Sequence, residues 1–186
     1  LDIKALHNGK ALAFHLSWDD PTRDESLMRP QDFSDGVAVQ LSTDADPPFF
    51  GMGGDHGAVS IWHWKAAWQK DLAGWQDIET AYPDAAVDWY PGQRDYRHGE
   101  AFEVRDAKTT SQDPSLMAGW GAENPLSTPT RTSAAEEAAA KGLGTLTSRP
   151  LPIQRVQATG EWREGRWHVV LQRPLTSAEK GDLALR

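Results

Sequence analysis

The sequence predicts a mainly β fold: an antiparallel β-sandwich with one or a few short helices and a long ordered loop. Two observations predict it. Apolar and polar residues alternate in several short segments, which is the period of a half-buried strand. Two pairs of these segments flank turn sequences that contain glycine, Asn8-Gly9 and Glu164-Gly165. The 186 residues suffice for one domain, and we expect residues 1–186 to form a single one.

The strands are predicted in order along the chain. Asn8-Gly9 separates the first two and favours a two-residue type I′ turn. In the second strand, the large apolar side chains fall on the even-numbered positions of residues 11–18. The same period of two recurs at Val37 to Leu41, Val59 to Ala66, Phe102 to Val104, Ala158 to Arg163 and Arg166 to Arg173.

Two short helices are indicated. Ser133 begins an S-x-x-E capping box with Glu136, an alanine-rich run follows over residues 134–141, and Gly142 supplies a C-terminal stop. Helical spacing also joins Trp68 to residues 72 and 75, although a glycine at position 74 weakens that pattern.

A long segment between Val104 and Ser133 has no periodic pattern and is rich in Pro, Gly, Ser and Thr. Loops of this length are usually functional or disordered. Trp120 and the turn sequence Asn124-Pro125-Leu126 favour an ordered loop, because large apolar side chains are rarely left in solvent without a purpose.

Composition excludes several function classes. The chain has no cysteine, so it has no disulfides, thiolate zinc sites, iron–sulfur clusters or covalently attached haem. Asp and Glu number 27 against 19 Lys and Arg, a balance that repels nucleic acid. No stretch has the roughly 20 apolar residues of a membrane span. The chain starts at Leu1 rather than Met, and we therefore expect an export segment to have been removed, which favours a periplasmic or secreted protein.

The glycine-rich run Phe50-Gly51-Met52-Gly53-Gly54 is a candidate ligand site. Glycines allow a flat ligand to approach the backbone closely, and the soft thioether of Met52 can either fill a gap in the core or ligate a soft metal. The residues alone leave both alternatives open.

The segment Ile61-Trp62-His63-Trp64-Lys65 has two faces. Trp62 and Trp64 share one face, while His63 and Lys65 share the other. This pattern is typical of a central strand with a polar pair. It also allows a tryptophan platform that stacks on sugars, or a histidine metal ligand, although the other histidines are scattered along the chain.

Hydrolytic chemistry has little support. The sequence contains no G-x-S-x-G elbow, no P-loop and no G-x-G-x-x-G turn. Adjacent carboxylates such as Asp19 and Asp20 point to opposite faces of a strand and do not form an acid/base pair.

Short motifs shared in the same order carry a resemblance to a known family. They are Trp18-Asp19-Asp20-Pro21-Thr22, Phe50-Gly51-Met52-Gly53, Ile61-Trp62-His63-Trp64-Lys65-Ala66, Asn124-Pro125-Leu126-Ser127, Lys141-Gly142-Leu143-Gly144-Thr145-Leu146-Thr147 and Gly165-Arg166-Trp167-His168-Val169-Val170-Leu171-Gln172-Arg173-Pro174. The chain resembles the haem b-binding γ subunits of periplasmic molybdenum enzymes of the type II DMSO reductase family, which include ethylbenzene dehydrogenase, dimethylsulfide dehydrogenase, selenate reductase and chlorate reductase.

The resemblance implies a single haem-binding β-sandwich domain with one non-covalent haem b, whose iron has a methionine and a lysine as axial ligands. The methionine position matches Met52. The lysine role carries to Lys108, the one lysine between residues 70 and 141, with Lys65 or His63 as the alternative ligand.

Further residues and partners follow from the same resemblance. Phe50, Trp120, Asn124 and Leu126 are expected around the haem. Arg105, Lys141 and Arg149 are candidates for binding its propionates. The implied partners are a molybdopterin-containing catalytic subunit and an iron–sulfur subunit in a heterotrimer, with a soluble cytochrome c as redox partner. The chain itself would be a non-catalytic electron-transfer subunit. A carbohydrate-binding β-sandwich module is the alternative function.

Overall fold

The chain forms two four-stranded antiparallel sheets that pack face to face. The computed structural model describes residues 1–42, 46, 52–54, 57–74, 76, 78–84, 124 and 131–176. Sheet A has the order β1-β2-β8-β7 and sheet B the order β3-β4-β5-β6. The elements are β1 (Asp2–His7), β2 (Ala11–Asp19), β3 (Gly36–Leu41), β4 (Val59–Lys65), α1 (Ala66–Ala73), α2 (Ile78–Ala81), β5 (Ala135–Ala140), β6 (Thr147–Ser148), the 3₁₀ turn Leu151–Ile153, β7 (Gln157–Arg163) and β8 (Arg166–Pro174). The predicted antiparallel β-sandwich is confirmed.

The core between the sheets is built from the inward-facing positions of the central strands. Leu16 of β2, Trp62 and Trp64 of β4, and Trp167 of β8 belong to one buried cluster. The rings of Trp64 and Trp167 meet edge to face, with centroids 4.9 Å apart, an arrangement that the aromatic quadrupole favours. The tryptophans of β4 are fully buried. They are therefore core residues and cannot form a sugar-stacking platform.

Both predicted hairpins are present. The second has Glu164 and Gly165 at its turn, both with positive φ, as a type I′ turn requires. The central pair of the first hairpin is not the predicted Asn8-Gly9. Because Asn8 bonds through its N–H to the carbonyl of Ala11, the two turn residues are Gly9 and Lys10. Gly9 has a positive φ and Lys10 does not, so the predicted type I′ turn, which needs positive φ at both central residues, is not formed.

Residues 135–140 form strand β5, so the predicted helix over residues 133–142 is wrong. Ser133 does not cap a helix: its hydroxyl accepts the Ala135 N–H (3.1 Å) and donates to the Val156 carbonyl (3.0 Å). Pairing with β4 and β6 overrides the local helix propensity of alanine. In a strand, Glu136 and Glu137 point to opposite faces, and each can therefore meet its own cation.

The second predicted helix is confirmed as α1, which includes Trp68 and Leu72 and ends before Gly74. The predicted strand at residues 102–104 and the predicted long loop between residues 104 and 133 lie outside the described residues, except for Asn124 and the last two loop residues. Among the helices that the structure describes, none is long and apolar enough to cross a membrane.

Gly160 of β7 allows the Trp64 ring of β4 to approach the β7 backbone closely. A Cβ atom added at this position would lie 2.3 Å from Cζ2 of the Trp64 indole. Gln69 of α1 holds this contact in place, since its amide oxygen accepts the Trp64 indole N–H (3.0 Å) and also the Gly160 N–H.

Replacing Gly160 with Ala should therefore destabilise the fold by about 1–3 kcal/mol, the usual cost of overpacking a core. Urea unfolding monitored by tryptophan fluorescence measures the change. Gly74→Ala is the matched control, because a Cβ at Gly74 meets nothing within 4 Å. Equal midpoints for the two variants would show that the Trp64 contact does not constrain position 160.

Candidate functional site

Met52 is held at both ends by the turn of residues 141–145. Its carbonyl accepts the Gly142 N–H (2.7 Å), and its sulfur accepts the Gly144 N–H (3.3 Å). The Thr145 hydroxyl closes this turn, because it accepts the Lys141 N–H and donates to the Gly142 carbonyl, both at 2.7 Å. The side chain of Met52 is therefore oriented by backbone groups rather than left free.

The contact leaves the sulfur able to bind a metal. A thioether sulfur carries two lone pairs, and the Gly144 N–H engages one side of it. Met52 is half-buried rather than sealed in the core. The other lone pair can bind a soft metal, for which a thioether sulfur is a suitable ligand.

The outer face of sheet B, next to Met52, is apolar and buried. Side chains alternate along strands, so Val59, Ile61, Ala138 and Ala140 point away from the sandwich core. We call these four residues the alanine face. Val59, Ala138 and Ala140 are each at most 4% exposed, yet none belongs to the core cluster. Sheet B is therefore buried on both faces at Val59, Ala138 and Ala140, whereas a sandwich sheet usually leaves its outer face to solvent.

The segment of Met52 lies against one end of the alanine face. A Cβ atom at Gly53 would lie 3.4 Å from the Val59 side chain and 3.5 Å from the Ala140 carbonyl. The short side chains of β5 give this face a flat surface. A soft sulfur ligand and a flat apolar surface are thus adjacent.

The opposite end of the same face is polar. Lys65 forms an ion pair with Glu136 and lies 4.3 Å from the centre of the Trp68 ring. The buried guanidinium of Arg131 stacks on this ring (4.2 Å) and pairs with Asp71. Burial opposes ionisation of Glu136, but the hydrogen bond and the positive charge of Lys65 outweigh it and lower the pKa of this carboxyl.

The comparison with known proteins identifies the family. The family model described as "Ethylbenzene dehydrogenase" matches residues 1–186. The chain belongs to the ethylbenzene dehydrogenase family. This confirms the resemblance that the ordered motifs indicated.

Two relatives of this ethylbenzene dehydrogenase family member match over shorter stretches. A Haloferax mediterranei protein, named as a respiratory nitrate reductase heme subunit (ORF7), is 34% identical over 92 residues, which cover 47% of this chain and 33% of that protein. The Rhodovulum sulfidophilum dimethylsulfide dehydrogenase subunit gamma is 44% identical over 65 residues, which cover 34% of this chain and 24% of that protein. The chain therefore covers a third or less of the length of these relatives.

The structure describes two of the six site residues that the sequence predicts. Met52 lies at the alanine face, and Asn124 is exposed. The other four predicted residues, Phe50, Lys108, Trp120 and Leu126, lie outside the described residues, so their roles stay predictions. Among the described residues, no group of three or more His, Asp or Glu side chains is arranged to hold a metal ion.

Lys65, one of the two alternative ligands, lies at the other end of strand β4 from the Met52 segment. Val59 packs beside the Met52 segment, and Lys65 lies six residues further along β4, about 20 Å at the usual rise of a strand. Two axial ligands of one metal must approach it from within a few ångströms. Lys65 is also paired with Glu136, and binding of its amine to a metal would break that ion pair. This geometry favours a lysine from elsewhere in the chain.

His63 makes the stability of this family member depend on pH. Burial lowers its pKa below the ordinary value of 6.5, the charge of Lys65 lowers it further, and Glu136 opposes both effects. The unfolded chain therefore binds a proton at His63 more readily than the native chain does. The stability is complete above the unfolded pKa and is lost as the pH falls below it toward the native pKa.

We expect urea unfolding of the wild-type chain to give a lower free energy at about pH 5.5 than at about pH 7.5, and His63→Gln to reduce that difference. His7→Gln, at an exposed position of β1, should leave the difference as it is. An unchanged pH dependence in His63→Gln would contradict the assignment.

Two features of the site were not predicted from the sequence. The hydrogen bond from the Gly144 N–H to the Met52 sulfur joins residues 92 positions apart, and no local sequence pattern predicts it. The alanine face was hidden by the helical interpretation of residues 134–141. Testing the same residues for a period of two would have placed Ala138 and Ala140 on one face of a strand.

Proposed function

We propose that this chain is an electron-transfer subunit that binds one haem b beside the alanine face, with Met52 as one axial ligand. The observation that carries the proposal is the Met52 sulfur, held by backbone bonds next to a flat buried apolar surface. The names of two relatives, a heme subunit and a dehydrogenase γ subunit, support the same function.

The residues present fit such a group. Haem iron accepts a thioether ligand, and the sulfur of Met52 has a lone pair to offer. The alanine face offers the macrocycle an apolar surface, on which Ala138 and Ala140 project little. Because the chain has no cysteine, the haem would be held without covalent thioether links and would be of the b type.

We assign the second axial position to Lys108. The family resemblance carries the role of lysine ligand to Lys108, which is the one lysine between residues 70 and 141. Lys65, an alternative ligand, is paired with Glu136 at the far end of β4. A lysine binds iron only as the neutral amine, so desolvation and the positive charge of the metal must displace its proton. Phe50, Trp120, Asn124 and Leu126 would line the same pocket. Lys141 begins the turn that holds Met52 and is therefore close enough to be a candidate for the propionates.

Two protein ligands would make this a site for electron transfer rather than catalysis. When bound, haem b supplies a one-electron carrier. If Met52 and Lys108 both bind the iron, neither oxygen nor a substrate would have a coordination position at the metal. The role we propose is therefore that of a non-catalytic subunit in an oxidoreductase complex.

The partners and location belong to the same proposal. We infer a heterotrimer with a molybdopterin-containing catalytic subunit and an iron–sulfur subunit, located in the periplasm, that exchanges electrons with a soluble cytochrome c. Family membership supports the complex. The carbohydrate-binding alternative loses its support, because Trp62 and Trp64 are fully buried.

The experiment that tests this function is reconstitution of the purified chain with haemin. We expect saturation at one haem per chain, a Soret band, a pyridine haemochrome spectrum of the b type, and complete extraction of the haem by acidified acetone. Haem retained after extraction, or no saturable binding, would overturn the proposal. Retention on polysaccharide gels by a chain that binds no haem would favour the carbohydrate-binding module.

A further inference from the structure

The turn of residues 141–145 positions one backbone N–H on the Met52 sulfur. Gly144 has a φ of +77°, a left-handed conformation that residues with a side chain rarely adopt. In this conformation its N–H donates to the sulfur, 3.3 Å away. Gly142 anchors the same turn to the Met52 carbonyl. The turn thus fixes both the backbone and the side chain of one methionine.

Thr145 is the side chain that holds the turn closed. Its hydroxyl accepts the Lys141 N–H and donates to the Gly142 carbonyl, and its own N–H donates to the same carbonyl (3.2 Å). The turn is exposed, and Leu143 at its tip is 92% accessible. Since no apolar packing encloses Leu143, these hydrogen bonds carry much of the order of the turn.

We propose that Thr145 is a positioning residue that keeps the Gly144 N–H on the Met52 sulfur, and that this hydrogen bond raises the reduction potential of the haem. This inference rests on the proposed function. An N–H that bonds to the sulfur withdraws electron density that the sulfur would otherwise donate to iron. The ferric form, which has the higher charge, depends more on that donation, so weakening it favours the ferrous form.

The electron balance is that of a simple carrier. A bound haem would take up one electron from one proposed partner and pass it to the other, with no other change of oxidation state. The Gly144 proton stays on its nitrogen throughout, so the bond changes the energy of the couple without adding a proton to it.

The test compares Thr145→Val with Thr145→Ser in the haem-loaded chain by spectroelectrochemical titration. Valine removes both hydroxyl bonds at nearly constant shape, and serine keeps them. At the midpoint potential of the wild type, we expect the ratio of reduced to oxidised haem to fall about threefold to tenfold in Thr145→Val, where tenfold is about 59 mV for one electron. Thr145→Ser should stay close to the wild type. Thr159→Val, on the exposed outer face of β7, is the matched control.

A second measurement keeps the inference independent of haem binding. In the haem-free wild type, amide hydrogen exchange should be slower at Gly144 than at the exposed Leu143, and Thr145→Val should remove that protection. A Thr145→Val chain with unchanged potential and intact methionine ligation would overturn the inference, as would an unprotected Gly144 amide in the wild type. Failure of every variant to bind haem, with Gly144 still protected, would instead overturn the proposed function. If Thr145→Val fails to fold, the protection of the Gly144 amide in the wild type decides the outcome, and an unprotected amide overturns the inference.

Discussion

Replacing Glu137 with Gln should lower the free energy of unfolding by about 3–5 kcal/mol, the usual cost of leaving one member of a buried ion pair without its partner. Glu137 and Arg173 are both fully buried between the sheets, and the Arg173 Nη1 lies 2.6 Å from the Glu137 Oε1. The guanidinium also lies over the ring of Trp62, 5.4 Å from its centre. This ion pair joins β5 of sheet B to β8 of sheet A.

The second carboxylate oxygen adds to the effect. The Glu137 Oε2 accepts the Arg155 N–H (2.8 Å), so the carboxylate also holds the segment that leads into β7. Glutamine keeps the shape but removes the negative charge that Glu137 places beside the buried Arg173 guanidinium. In a chain of this length, the loss corresponds to a fall in Tm of about 6–20 °C.

Thermal and urea unfolding of Glu137→Gln measure this loss. Glu161→Gln, on the exposed outer face of sheet A, should change the stability by no more than about 0.5 kcal/mol. Replacing both charges together, as Glu137→Met with Arg173→Met, should cost less than Glu137→Gln alone, because no charge is then left unpaired. A loss below about 1 kcal/mol in Glu137→Gln would contradict the account.

Replacing Met52 with Ala should convert the reconstituted haem from a six-coordinate low-spin form to a form with an open axial position. The turn of residues 141–145 holds the Met52 sulfur, the ligand that we propose, in place. We also expect haem affinity to fall by about tenfold or more, since tenfold corresponds to about 1.4 kcal/mol of lost interaction. Visible absorption and electron paramagnetic resonance of the oxidised chain measure the change.

Matched variants separate ligation from general damage. Met28→Ala removes another half-buried methionine and should keep the low-spin spectrum. Lys108→Ala should abolish that spectrum, whereas Lys65→Ala should retain it, because Lys65 is paired with Glu136 away from Met52. A low-spin spectrum that survives in Met52→Ala would remove Met52 from the site, and one that survives in Lys108→Ala would do the same for Lys108.

The fold was predictable from the sequence wherever local pattern and tertiary pairing agree. The alternation around Trp62 and Trp64 predicts strand β4, and Glu164-Gly165 predicts the second hairpin correctly. Residues 135–140 were misassigned because their alanines have high helix propensity, while pairing with β4 on one side and β6 on the other decides their conformation. A prediction from neighbouring residues alone cannot include this pairing between distant parts of the chain.

The site was predictable only in part for a similar reason. The glycine-rich run around Met52 signals a close backbone approach, and the family resemblance names the methionine as a ligand. The bond from Gly144 and the location of the alanine face depend on which residues the topology brings together. The separation of Met52 from Lys65 is also a result of strand direction, and it became visible only when β4 was placed in sheet B.

Near-infrared magnetic circular dichroism of the oxidised, haem-loaded wild-type chain tests the central claim most directly. The energy of its low-spin charge-transfer band depends on the two axial ligands. Methionine–lysine ligation predicts one band at the energy typical of thioether–amine pairs, and a loss of that band in Met52→Ala. A band at the energy of bis-histidine or histidine–methionine ligation, unchanged in Met52→Ala, would contradict the account.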